Sequence, residues 1–263
     1  MSTLVGVPVK DCAIWLNRFL EGLEQLTDVS RAVFYYGKGR DPTLPLLKEW
    51  AEEAPFLVEI YEDPPTRALS SAQLAPVYKE LQEIMRDGDE THFLGIDADI
   101  VKMPNNLITR LKKSKKDIIA PNVWVENLKP KTFYDTNNFR YKGCRFHSFS
   151  PPMGDRPFQV ESVGTCWLAS RETFTETEID NPYPDRTLCN NARANKHTVW
   201  VDPRLSVYHL FAAPMGLYSV PLEALEGKPP DQTPYIKANG TVVEVNMMPN
   251  DFVEAYVWGR VEE

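Results

Sequence analysis

The chain has 263 residues, of which 43% are hydrophobic, 11% aromatic and 25% charged. That is enough apolar material for one large domain, or a domain with an appendage, without disulfide or metal staples. A formal net charge of −8 argues against a protein dedicated to coating DNA or RNA. Cys12, Cys144, Cys166 and Cys189 are scattered with no CxxC spacing, so a zinc pattern is absent and free thiols in a reducing compartment are expected. The N-terminal "MSTLVGVPVKDC" has no basic leader and no run is apolar enough to span a bilayer, so the expected location is cytoplasmic.

Strand-like and helix-like segments alternate through the first half. "TLVGVPV" (3–9) predicts a strand, and "CAIWLNRFLEGLEQL" (12–26) carries apolar residues at helical spacing. "RAVFYYG" (31–37) and "FLVEIYE" (56–62) predict further strands around a helix at 42–54, whose early prolines suit a first turn. A helix over 70–88 with a possible kink at Pro76 leads to a fourth strand, "THFLGIDADIV" (91–101). A helix opening at Pro104 and the strand "DIIAPNVWV" (117–125) follow. Such alternation implies right-handed crossovers and a mostly parallel sheet with helices on both faces, whose ligands bind beyond the carboxyl ends of the strands.

After residue 126 a long, aromatic, turn-rich stretch reaches residue 157, too long for a plain connection and too aromatic for a disordered one. A strand with a helix start at Ser170 (158–174), a helix (184–196) and an extended segment (197–210) come next. "PYIKANGTVVEV" (234–245) predicts a hairpin turning at Asn239-Gly240. The expected organisation is one α/β domain over 1–215, its halves meeting near 125/126, with 216–263 as an extension packed on it.

The chemistry concentrates in "HFLGIDADI" (92–100), which sets two acids one residue apart at the end of an apolar strand. Strand alternation would put Asp97 and Asp99 on one face, where their repulsion calls for a cation between them. Mg²⁺ or Mn²⁺ suits a DxD, since both take oxygen ligands and leave positions open for phosphate. A solvated strand end is the alternative. His209, in "SVYHLF", is a candidate third ligand, although a histidine after an apolar run can equally be a hydrogen-bonded core residue. Lys112, Lys113, Lys115 and Lys116 fit a solvated helix end, with phosphate contact as the other use. Trp124, Tyr134, Phe139 and Tyr141 could stack on sugar or base, or pack on one another. Trp15, Trp50 and Trp200 fit the core.

"THFLGIDADIVKMPNNLITRL", "KDIIAPNVW", "FYDTNNFR", "VESVGTCWLASRETF" and "VWVDPRLSVYH", in that order and spacing, resemble the metal-dependent glycosyltransferases of the GT-A fold. Within that fold they are most similar to the family-62 mannosyltransferases of the yeast Golgi. The resemblance implies that Asp97 and Asp99 hold the metal on the donor diphosphate and that His209 completes the site. It places Pro8 against the nucleotide, Arg67 before the helix leading to the DxD strand, and Asn122, Trp124 and Asp135 through Asn138 around sugar and acceptor. Glu161 matches an acid beside a turn that relatives make richer in glycine, and Asp185 an acid used against the acceptor hydroxyl, its usual acidic neighbour here being Pro184. The implied activity is transfer of a hexose, mannose or glucose, from a nucleotide-diphosphate sugar with Mn²⁺ or Mg²⁺. Candidate acceptors are a glycan, a lipid-linked saccharide or a hydroxylated base in DNA. A nucleotidyltransferase would want a glycine-rich basic loop after the first strand, where "GVPVKD" has one glycine and one lysine. A non-catalytic nucleotide-sugar or glycan binding module would be expected to have lost the acids or His209.

Overall fold

The computed structural model describes residues 2–62, 74–126, 131–136, 138–146, 148, 151–180 and 183–210, with the backbone of four two-residue strands between 231 and 247. Two compact units are present, Met1–His209 and Leu210–Glu263. The first unit opens with β1 (Thr3–Val9), α1 (Ala13–Glu24), β2 (Val29–Tyr36), α2 (Thr43–Ala51), β3 (Leu57–Glu62) and α3 (Ala75–Asp87). It continues with β4 (His92–Ile96), β5 (Ile100–Lys102), α4 (Leu107–Lys113) and β6 (Ile118–Val125). The short β7 (Arg140–Tyr141), β8 (Cys144–Arg145) and β9 (Phe158–Gln159) precede β10 (Cys166–Ser170), α5 (Arg171–Glu176), α6 (Pro184–Ala194) and β11 (Val199–His209).

Among the described residues the sheet runs β3-β2-β1-β4-β10-β6-β11-β5, with β9 paired on β11. β1 through β4 are parallel, as are β6 and β11. The α/β alternation and the mostly parallel first half are as expected, but β10 enters antiparallel between β4 and β6, and β5 lies antiparallel on β11. The chain winds outward from β1 through β2 to β3, then returns to place β4 on the other flank of β1. The order therefore reverses between β1 and β4, where open α/β sheets leave a crevice.

Covered on both faces, the central strands are apolar almost throughout, and β6 is buried at every residue. α1 buries Trp15, Leu16, Phe19, Leu20 and Leu23 along one stripe, and α3 buries Val77, Tyr78, Leu81 and Met85. Gln82 is buried with them, its amide donating to the carbonyls of Phe174 and Thr177. Pro76 stands in the first turn of α3, where a missing N–H costs nothing, so the expected kink is a helix start instead. Ser170 caps α5 by accepting the Thr173 N–H at 3.3 Å.

The turn-rich insertion is ordered by its own aromatics. Phe133 stands edge-on to Trp124, Phe139 and Phe146, and Phe133 and Phe139 are fully buried. Tyr141 stays exposed on the β7–β8 hairpin. All four cysteines are free thiols, only Cys144 exposed. No helix among the described residues is long and apolar enough to cross a membrane. In the second unit Tyr235–Ile236 pairs antiparallel with Val242–Val243, a hairpin in the expected place. Its Asn239-Gly240 turn lies outside the described residues.

Candidate active site

Asp97 and Asp99 do not alternate along one strand. β4 ends at Ile96, the two acids flank a turn at Ala98, and β5 begins at Ile100. The acids thus lie beyond the carboxyl end of β4, at the crevice beside β1. Two bonds fix the turn: Ile100 N–H to Asp97 carbonyl (3.1 Å), and Asp97 N–H to Thr165 carbonyl (2.9 Å). The second reaches across to β10, whose Cys166 is in register with Ile96.

His209 arrives from the far end of the sequence. As the last residue of β11 it pairs opposite Ile100, with a bulge between Tyr208 and His209 that re-aims the side chain. Its Nε2 lies 3.0 Å from Asp99 Oδ1, and its ring is stacked on Tyr134 with centroids 3.6 Å apart. His209 is 1% exposed, while Asp99 Oδ1 is buried without a hydrogen-bond partner. A buried carboxylate oxygen set against an imidazole nitrogen, with no other partner among the described residues, is a donor pair that fits a divalent cation. Among the described residues no three His, Cys, Asp or Glu side chains converge closely enough to hold a cation by themselves.

Two further acids face the same region. Asp185, in the first turn of α6, accepts the Trp167 indole N–H at 3.0 Å and the Tyr78 hydroxyl. Burial nevertheless lifts its pKa to about 6. Asp135, 2% exposed, is raised to about 7 by burial and by Asp185, against the hydrogen bonds from Thr165 and Asn138 that favour its charge. Its Oδ2 has no hydrogen-bond partner. Asp97 is pushed well above the usual carboxylate range by burial, then by the charges of Asp99, Asp185 and Asp135. Among the described residues no Lys or Arg is ion-paired to Asp97, Asp135 or Asp185. The crowded acids meet one another's charge by holding protons more tightly than free carboxylates do.

The other predicted residues are more dispersed. Asn138 belongs to the acid group, packed where Gly164 has no Cβ and bonded to Asp135. Asn122 is 1% exposed and its amide clasps the Pro152 carbonyl at 2.9 Å. Trp124 donates to Ser206 Oγ at 3.0 Å under the Lys131 ammonium, its ring in the core. Pro8 lies in β1 opposite Tyr35. Both oxygens of Glu161 accept the Gly143 N–H at 3.0 Å, which braces the β7–β8 hairpin. Arg67 lies outside the described residues. Asp135 and Thr165 were not singled out as catalytic by sequence reasoning; the FYD and SVGTC blocks carried them, but only the fold sets them beside the DxD.

Comparison with solved structures decides the architecture. With S. aureus TarS 1-349 in complex with UDP-GlcNAc, the TM-score is 0.58 at 11% identity, over 86% of this chain and 64% of that one. The fold is GT-A. GalNAc-T7 with UDP, GalNAc and Mn²⁺ gives 0.57 at 12% identity, covering 80% of this chain and 44% of that one. The mannosyltransferase PcManGT from Pyrobaculum calidifontis, in complex with GDP-Man and Mn²⁺, gives 0.51 at 12%, covering 81% and 58%. The chain spans less than two thirds of the length of these GT-A proteins. The Anp1 family model, that of GT62-type mannosyltransferases, matches residues 87–161, the block that holds the DxD, Asp135 and Glu161. No curated protein sequence matches the chain.

Proposed function

We propose that the chain is a metal-dependent glycosyltransferase, moving a hexose from a nucleotide-diphosphate sugar to an acceptor hydroxyl. The observation that carries this is the buried Asp99–His209 pair at the switch point of a GT-A sheet. Asp99 and His209 are the pair that would hold Mn²⁺ or Mg²⁺, with Asp97 as the further ligand that the family resemblance implies, and the donor phosphates would fill the remaining positions. A cation there stabilises the charge that builds on the departing diphosphate. Tyr134 holds the imidazole plane by stacking, and the bonds on both sides of the Asp97–Asp99 turn keep the carboxylates in place.

Asp185 is the residue suited to take the acceptor proton. Its pKa of about 6 leaves it mostly ionised at neutral pH yet basic enough to accept. Trp167 and Tyr78 hold its carboxylate by two donors. A base at this position entails inversion at the transferred carbon. Recovery of the retained anomer, as in the family-62 resemblance, would leave Asp185 with acceptor binding and send the proton to the leaving phosphate. Glu161 is bound to its hairpin, so we give it a bracing role there.

Mannose is the favoured sugar, on the Anp1 match and the GDP-Man bound by PcManGT, with glucose second. A saccharide acceptor, free or lipid-linked, is favoured over a DNA base. Of the lysine cluster, Lys112 is paired to Asp28 at 2.8 Å and Lys116 lies over the Trp200 ring at 3.6 Å, so two of its charges are already engaged. Free thiols support a reducing compartment, and we keep the cytoplasm as its location.

Incubation with a panel of nucleotide sugars and Mn²⁺ tests the reading, with release of nucleoside diphosphate as the signal. Release from one donor, abolished by chelation, is expected. Pyrophosphate released from a nucleoside triphosphate would make the protein a nucleotidyltransferase, and donor binding without turnover a binding module.

A further inference from the structure

Thr165 has a backbone that its side chain disfavours. Its φ is +60°, in the left-handed region that β-branched residues rarely enter, and it is 5% exposed. The turn is tight, with Cys166 N–H reaching the Gly164 carbonyl at 2.6 Å. Gly164 must stay without a Cβ because Asn138 Cβ and Cγ would stand 2.7 Å from it. Strain of this kind persists only where the surroundings enforce it. Here the twist sends the two polar groups of one residue to two different acids. The carbonyl accepts the Asp97 N–H at 2.9 Å, and the hydroxyl donates to Asp135.

We infer that Thr165 is a positioning residue, whose left-handed turn locks the Asp97 backbone with its carbonyl and aims the Asp135 carboxylate with its hydroxyl. The inference rests on the glycosyl-transfer reading. With the Thr165 and Asn138 donors holding Asp135, its partnerless Oδ2 is left for a hydroxyl of the sugar or acceptor.

The two tasks separate by mutation. Thr165→Val keeps the shape and the carbonyl but deletes the hydroxyl. It is expected to lower kcat about tenfold or more and to leave the Mn²⁺ Kd, measured by calorimetry with a nucleoside diphosphate present, within about twofold. Gly164→Ala would set a Cβ 2.7 Å from Asn138 Cβ, displace the turn and the Thr165 carbonyl with it, and is expected to weaken Mn²⁺ binding about tenfold. Thr165→Ser, which keeps the hydroxyl, should restore turnover to near the wild-type value. A Thr165→Val enzyme with wild-type kcat would overturn the inference. So would losses in all three variants that simply follow their loss of Tm. If the wild-type protein turns over no donor at all, the glycosyltransferase reading fails first; the Mn²⁺ titration of Gly164→Ala still reads the lock on Asp97.

Discussion

At the scale of single residues, the Asp99–His209 contact and Asp185 carry different chemistry and should fail differently. On the proposed reading, Asp99→Asn or His209→Ala would remove a ligand from the catalytic cation, and turnover should fall about 100-fold or more. Mn²⁺ binding, followed by calorimetry, should weaken in parallel. Asp185→Asn should leave Mn²⁺ and donor binding within about twofold of wild type while transfer drops about 10²–10⁴-fold. In the wild-type enzyme, kcat should rise with pH through about 6 as Asp185 ionises, a limb that Asp185→Asn lacks. The DxD could be found from sequence because two acids in an apolar run are costly without a partner. His209 stood out only as a polar residue ending a strand. Asp135 is marked in the sequence only by the family resemblance, as lining sugar and acceptor, and its burial beside Asp185 is a product of the fold. The left-handed φ of Thr165 is invisible in a sequence, since the residue type argues against it.

At the scale of elements, the strand–helix units up to α3 follow from hydrophobic period and turn residues, and their boundaries fall within a few positions of those expected. The site-forming pieces were harder to read because their geometry comes from pairing. An apolar strand gives no sign of direction, so "CWLAS" carries no hint that β10 runs against β4. The same pairing ended β4 before the acids, turning an expected face-sharing pair into a bonded turn. Contact between β4 and β10 depends on Gly95, where an added Cβ would stand 2.8 Å from the Trp167 ring. Gly95→Ala should therefore cost about 1–3 kcal/mol in urea unfolding. It should also depress kcat beyond that cost, because displaced Trp167 loses its bond to Asp185.

At the scale of the whole molecule, crowding four acids makes stability depend on pH and ligand. Burial lifts Asp135 to about 7 and Asp185 to about 6 in the folded protein, from the ordinary carboxylate value of 3.8. Between those limits the native state holds protons that the unfolded chain releases, so their contribution is complete at the acid end and is lost as pH rises through 6 and 7. The Tm of metal-free protein should fall from about pH 5 to about pH 7.5. Asp135→Asn should flatten that slope, and Mn²⁺ with donor should restore Tm at the upper end, since they bind only the folded state.

One consequence concerns synthesis. β11 is the last strand of the first unit, and His209 is its last residue. A nascent chain that has emerged only as far as α6 already contains the DxD, Asp135 and Asp185 but no imidazole to set against Asp99. Competence is therefore conferred late, when the ribosome has passed the end of β11 and the strand docks beside β6. A fragment ending before that point would hold every acid and still lack the nitrogen that completes the pair.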